Sequence, residues 1–435
     1  MAVSRFSCSG KRGNAWKCRT LRCGVCVVRA VACWSPETCP SDALSLHLGR
    51  VLSFDAERPV GLVLSGGGAR GTFQVGVWKV LRLHPRGFRS APQVISGTSA
   101  GALNGALIAA GLTPDEMLEF WLGLADNPPV QANEKFFSSL VKALYEIAKD
   151  EPLRGLSRRM REVKTMGRLF RKHRWYAQSG ALAMAIEFFL TARFDTVSAL
   201  LDGIDTTYLF DTSPVRARLK KLIGGEVLPP TETRLAINTV DTRTGNVIRI
   251  VNHPPVKATG AATHHYRYEP KITIDMILAS SSIPLLFNPV KVGDLELWDG
   301  GLLVNSPMAP VVALGAQRIV PVLVTVREQN RSRPMSTFGH AVECLVDTLL
   351  ENAYNIDRKL LLDRNALADR VLDPELRKVQ LFRPIRPREA AAFNAGSYLY
   401  FEREAMLAMY EAGQQAALAW LERGPTVDGR NLPEQ

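Results

Sequence analysis

Ser99 stands in Gly97-Thr98-Ser99-Ala100-Gly101, with small residues on both sides and a glycine two positions away in each direction. That spacing suits a nucleophile held out on a sharp strand-to-helix turn, because glycine accepts close backbone approach where a Cβ would clash. Two other segments fit the same chemistry. Gly66-Gly67-Gly68-Ala69-Arg70-Gly71 can aim successive N–H groups into one concavity, which would hold a phosphate or the oxyanion of a tetrahedral intermediate. Asp299-Gly300-Gly301 places a carboxylate on a turn, where it could take the proton that a serine must lose to attack. Each pattern also occurs in ordinary turns, so their weight comes from appearing together.

The flanking residues supply the elements that must position these groups. Val60 to Leu64 is an apolar run ending in Ser65 and three glycines, and Val94-Ile95 is a second, bounded by Pro92 and Gly97. Both read as buried strands, and Ala100 to Ala110 reads as a helix with Ser99 at its positive end. Leu295 to Trp298 alternates like a strand and delivers Asp299 to its end, where Trp298 beside it would help form an apolar pocket. Leu235 to Val240 and Val247 to Val251 read as a hairpin across Asp241 to Asn246, and Ile319 to Val326 as a further strand. The alternation of strands with helical stretches predicts an α/β fold with a mostly parallel, mixed sheet covered on both faces.

Other site chemistries fit less well. Gly66, Gly68 and Gly71 satisfy a dinucleotide-binding spacing, but no Asp or Glu lies between Glu57 and Asp115 to take ribose hydroxyls. No P-loop sequence is present. A histidine base would have to be His340, whose surroundings Gly339-His340-Ala341-Val342-Glu343 read as helix. His264-His265 is half of a metal site with no Cys or carboxylate cluster at ligand spacing, so no metal is expected.

The three segments together resemble the patatin-like phospholipase family, from about Pro59 to about Thr325, and Ala279 to Pro284 through Phe287 and Pro289, with Asn305 and Pro307, are similar to further blocks of it. The resemblance implies a three-layer α/β/α fold with Ser99 as nucleophile and Asp299 as base. It implies an oxyanion hole from the amides of Gly66, Gly67, Gly68, Ala69, Arg70 and Gly71, a nucleophile elbow of Gly97, Thr98, Ala100 and Gly101, and a motif turn at Gly300 and Gly301. The expected activity is hydrolysis of lipid esters through an acyl-enzyme, without cofactor. A lipid- or protein-binding member of the same fold is the alternative. Arg70 would steady the oxyanion loop or meet a phosphate.

The composition, 46% hydrophobic and 22% charged, is that of a globular protein. Residues 1–50 differ in kind. They carry eight Lys or Arg against two acids and six of the seven cysteines, and read as a disordered leader, with zinc-binding, signal and transit readings less well supported. Residues 51–330 form the expected catalytic domain with a largely helical insertion at about 127–230, and 331–435 a helical region packed on it. Within the insertion, Leu153, Leu156, Met160 and Val163 recur at helical spacing, amid Arg158, Arg159, Arg161, Lys164 and other basic residues. These are candidates for contact with an anionic membrane. The net charge of +12 also raises nucleic acid as a partner, but aromatic interleaving is sparse and no nucleic-acid-binding signature accompanies it. The expectation is a cytoplasmic protein with peripheral membrane contact and no transmembrane helix, and with Cys344 buried in the core.

Overall fold

A computed structural model describes residues 59–127, 130–150, 201–256, 265–326, 338–370, 376, 378–388, 393, 395–399 and 401–428. The chain divides into two units, Met1–Val51 and Leu52–Gln435, and every described residue belongs to the second. The leader and the basic residues Arg158, Arg159, Arg161 and Lys164 lie outside the described residues.

The strands, in chain order, are β1 (Val60–Leu64), β2 (Val94–Thr98), β3 (Gln131–Ala132), β4 (Tyr208–Asp211), β5 (Arg234–Asp241), β6 (Val247–Val251), β7 (Tyr266–Tyr268), β8 (Leu285–Phe287), β9 (Val290–Val292), β10 (Leu295–Asp299), β11 (Arg318–Val322) and β12 (Gln380–Leu381). The central sheet runs β12-β11-β1-β2-β5-β10-β9, with β6 and then β7 joined to β5. From β12 to β5 every pairing is parallel, and β10 and β6 join β5 antiparallel. The expected mixed, mostly parallel sheet is therefore present, hairpin included.

Side-chain alternation along the strands feeds two cores. In β1, Leu62 and Leu64 pack on one face with Phe73, Leu103 and Met117, while Val63 packs on the other with Val311, Tyr354 and Leu361. Helices Gly71–Leu83, Ala100–Ala109, Pro114–Asp126 and Arg403–Arg423 contribute to the first face. Met308–Ala313 and Phe338–Ala368 cover the second. The result is three layers, helix on sheet on helix.

One expectation needs correction. The C-terminal part is not only helical, because β12 extends the sheet beside β11. The described parts of the insertion are largely helical, in Glu134–Asp150 and Ser213–Ile223, and also carry the short strands β3 and β4, which join β8 in a separate three-stranded sheet. Strands of two to four residues are too short to show a period of two, which is why patterning missed them.

Candidate active site

β5 is longer than its parallel neighbour, and this brings the serine and the aspartate together. β2 pairs with Arg234 to Asn238, and β10 pairs with Thr239 to Asp241. β6 occupies the opposite edge of β5 through Ala236 to Val240, so β2 and β10 share one edge and meet end to end. Thr98 lies opposite Asn238 and Asp299 opposite Thr239. Ser99, the next residue after β2, therefore reaches the end of β10, where its side chain is close enough to the Asp299 carboxyl to lower the pKa of that carboxyl.

Ser99 adopts φ 55° and ψ −126° immediately before helix Ala100–Ala109. A positive φ is uncommon outside glycine and is held only where neighbours over-determine it. Here the Ser99 amide donates to Ser280 Oγ at 3.0 Å, and the same hydroxyl donates to Asn238 O at 2.6 Å. Thr98 Oγ1 anchors the turn to Val304 O at 2.8 Å. Gly101 is required by close approach, since a Cβ there would lie 2.2 Å from Leu64 O.

Asp299 is 4% exposed. Burial pushes its pKa up to about 7, opposed by hydrogen bonds from the Gly301 amide and Ser99. The Gly301 amide donates to Asp299 Oδ1 at 2.7 Å, and the Asp299 amide to Ser282 O at 2.9 Å. Trp298 does not supply the apolar wall expected of it. Along β10, Leu297 and Asp299 are buried on one face, and Trp298 belongs to the other, because successive side chains in a strand alternate.

The glycine loop passes beside the serine. A Cβ on Gly66 would sit 3.1 Å from Ser99 Cβ and 2.6 Å from Asn305 Oδ1, so no side chain fits. Its amides are not equivalent. Gly66 donates to Asn305 O at 3.2 Å, Arg70 to Gly67 O, and Gly71 to Ala69 O and Gly68 O. Of the six amides expected to hold an oxyanion, those of Gly66, Arg70 and Gly71 are thus committed to the backbone. The amides of Gly67, Gly68 and Ala69, at the start of the 3-10 turn Gly68–Arg70, have no such partner among the described residues.

Arg70 steadies the loop and does not face a phosphate site, being fully buried. Its guanidinium donates to Ser397 Oγ at 2.8 Å and Asp347 Oδ1 at 3.1 Å and stacks on the Tyr398 ring 3.7 Å away. The Tyr398 hydroxyl also donates to Asp347. Replacing Arg70 by Met would leave the Asp347 carboxylate buried without this cation, which costs about 3–5 kcal/mol. The expected result is a large drop in urea midpoint, and an unchanged midpoint would refute the anchoring role.

Below the loop, Asn104 donates to Gly71 O and Gln74 Oε1, Trp121 Nε1 donates to Asn104 Oδ1, and Gln74 donates to Ser65 O, all between 2.7 and 2.9 Å. This buried network ties the loop to the helix after Ser99. Sequence reading missed Ser280, Asn238 and Asn104 as parts of the site. Ser280 lay within the run Ser280-Ser281-Ser282 but had no assigned role. Ser280→Ala strands the Ser99 amide and the Asn238 carbonyl, at about 1–3 kcal/mol. If Ser99 is the attacking group, loosening its turn should also slow its reaction with a fluorophosphonate by about tenfold or more. Rates of fluorophosphonate labelling against thermal midpoints test both. Cys344 is half-buried beside Thr348 rather than in the core, and His340 lies in helix Phe338–Ala368.

Comparison with known proteins bears on the family. A family model described as patatin-like phospholipase matches residues 62–312, more than half of the chain. The chain belongs to the patatin-like phospholipase family. Lysophospholipase nte1 of Aspergillus terreus is 40% identical over 94 residues, which are 21% of this chain and 5% of that protein. The match thus spans only a twentieth of the relative. VipD from Legionella pneumophila has a TM-score of 0.35 at 13% identity, covering 86% of this chain and 68% of its own. ExoU–SpcU of the Pseudomonas aeruginosa type III secretion system has a TM-score of 0.24 at 18% identity, covering 84% and 60%. Both superpositions are too loose to bear on the site. Among the described residues no helix is long and apolar enough to cross a membrane.

Proposed function

We propose that this patatin-like protein is a lipid acyl hydrolase of the phospholipase A, lysophospholipase or acylglycerol lipase type, working through a Ser99–Asp299 dyad. The observation that carries the reading is the meeting of Ser99, on a turn at positive φ, with the end of the strand that bears the buried Asp299 carboxyl, which burial pushes up to about 7. A carboxylate of ordinary pKa is a poor base toward serine, whereas one near 7 is partly ionised at neutral pH yet basic enough to accept the proton.

In the proposed reaction Asp299 takes the Ser99 proton as Oγ attacks the ester carbonyl carbon. The carbonyl oxygen becomes an oxyanion held by the amides of Gly67, Gly68 and Ala69, aided by the positive end of helix Ala100–Ala109. Collapse breaks the ester C–O bond, and Asp299 returns its proton to the departing alcohol. Asp299 then deprotonates water, which attacks the acyl-enzyme; collapse breaks the acyl C–Oγ bond, Asp299 passes the proton to Ser99 Oγ, and the fatty acid leaves with both groups restored. No cofactor enters the scheme. Labelling with a fluorophosphonate, followed by hydrolysis of a panel of phospholipids, lysophospholipids and acylglycerols, tests it. Failure of folded protein to label or to hydrolyse any of the panel would turn the reading toward a binding member of the fold.

A further inference from the structure

The glycine loop is held by parts of the chain far beyond it. Arg70, at its end, is fully buried, and the groups around its guanidinium include Asp347, Ser397 and Tyr398, all outside the family-matched residues 62–312. Asp347 belongs to helix Phe338–Ala368, and Ser397 and Tyr398 to the 3-10 turn Ala395–Tyr398.

We infer that Tyr398 and Asp347 are positioning residues for the oxyanion hole, so that the chain after residue 312 sets the direction of the loop amides. The inference rests on the hydrolase reading and on the assignment of the oxyanion to the amides of Gly67, Gly68 and Ala69.

Tyr398 meets the loop directly. Gly68 has φ 54°, and a Cβ on it would lie 1.9 Å from Tyr398 O. The left-handed backbone and the seated carbonyl both demand glycine. At the preceding residue, a Cβ on Gly67 would lie 2.2 Å from Val324 Cγ2. The loop is therefore gripped between Tyr398 and Val324. Rotation at Gly68, which would swing the Gly68 and Ala69 amides, is opposed by the carbonyl packed against it.

The Arg70 guanidinium fastens both sides of this grip. It stacks on the Tyr398 ring at 3.7 Å and donates to Val324 O at 3.3 Å. Asp347, 1% exposed, accepts from Arg70 Nη1 at 3.1 Å and from the Tyr398 hydroxyl, both on Oδ1. A charge-assisted hydrogen bond in a buried setting is strong and directional, and one carboxylate oxygen shared by two donors fixes guanidinium and phenol in a single arrangement. Ser397 Oγ accepts from the Nε side at 2.8 Å.

An oxyanion hole is sensitive to small displacements. Its donors must stand about 2.7–3.1 Å from the charge that develops, and losing one costs about 10²–10³-fold in kcat. A misplacement of about 1 Å can cost about 10²-fold. Loosening Tyr398 or Asp347 should therefore slow the reaction although neither residue touches the substrate.

The test compares full-length wild type, Tyr398→Phe and Asp347→Asn on a soluble short-chain ester. Beside the rates it measures the Kd of a trifluoromethyl ketone, whose adduct with serine carries an oxyanion, and of an unreactive ether of the same chain length. Tyr398→Phe keeps the ring on Arg70 and removes only the bond to Asp347. Asp347→Asn keeps the shape and an acceptor but removes the charge. Expected in each is a fall in kcat of about tenfold or more with KM unchanged, a ketone Kd raised by the factor that kcat/KM loses, and unchanged ether binding. Variants with a lower thermal midpoint but wild-type kcat and ketone affinity would show a merely structural clasp and overturn the inference. So would a fall in kcat with ketone affinity intact, which would place the effect elsewhere than at the oxyanion. If Asp347→Asn does not fold, Tyr398→Phe decides alone. Wild type that neither labels with a fluorophosphonate nor hydrolyses the ester would remove the hydrolase reading itself, an outcome distinct from active variants.

Discussion

Ser99→Ala should abolish both fluorophosphonate labelling and ester hydrolysis, a loss on the order of 10⁴-fold or more if Ser99 is the attacking group. The substitution removes the nucleophile and leaves its surroundings in place, because the Ser280 and Val304 anchors act on the backbone of the turn and on Thr98. It also removes a hydroxyl that lowers the Asp299 pKa, so that carboxyl should titrate higher in the variant than in the wild type. A companion variant separates chemistry from folding. Ser99→Gly is equally unable to attack, but it relieves a non-glycine residue at φ 55° and should be more stable by about 1 kcal/mol. Hydrolysis surviving in either variant would remove Ser99 from the mechanism.

Asp299→Asn should cost at least about 10³-fold in kcat while stabilising the fold at alkaline pH. Wild-type kcat/KM should rise with pH through about 7, because only the ionised carboxyl accepts the serine proton. Stability should run the opposite way. The folded-state pKa lies above the usual 3.8, so the native protein holds this proton after the unfolded chain has lost it. The stability this provides is complete below pH 3.8, declines between there and about pH 7, and is gone above. The buried charge then weighs on the fold by up to about 4 kcal/mol. Asparagine carries no such charge, so the variant should melt above wild type at pH 8 and near it at pH 4. Thermal unfolding at both pH values, beside the rate profile, checks the pair. A variant with full activity, or with equal midpoints at both pH values, would dismiss Asp299 as a buried base.

The motifs that carry the proposed chemistry were legible because each depends on a backbone requirement written within a few residues. A glycine beside Ser99, a glycine run after β1 and a turn after β10 state their local geometry wherever they fold. The α/β class was legible for a similar reason, since five-residue apolar strands next to helical stretches announce their period. Strands β3, β4 and β12 were not, being too short to repeat a pattern.

By itself the sequence determined that a serine would stand on a strained turn, that a glycine loop would follow one strand and that an aspartate would end another. Only the tertiary structure decided that these meet, because β5 outlasts β2 and lends the rest of the same edge to β10. It also decided that Ser280 would hold the Ser99 amide, that three of six loop amides would be spent on the backbone and that Arg70 would be buried against Asp347. The physical reason is separation along the chain. Local conformation is fixed by neighbours in sequence, whereas a hydrogen-bond partner 181 or 277 residues away, and the burial that raises the Asp299 pKa, exist only after the sheet has assembled.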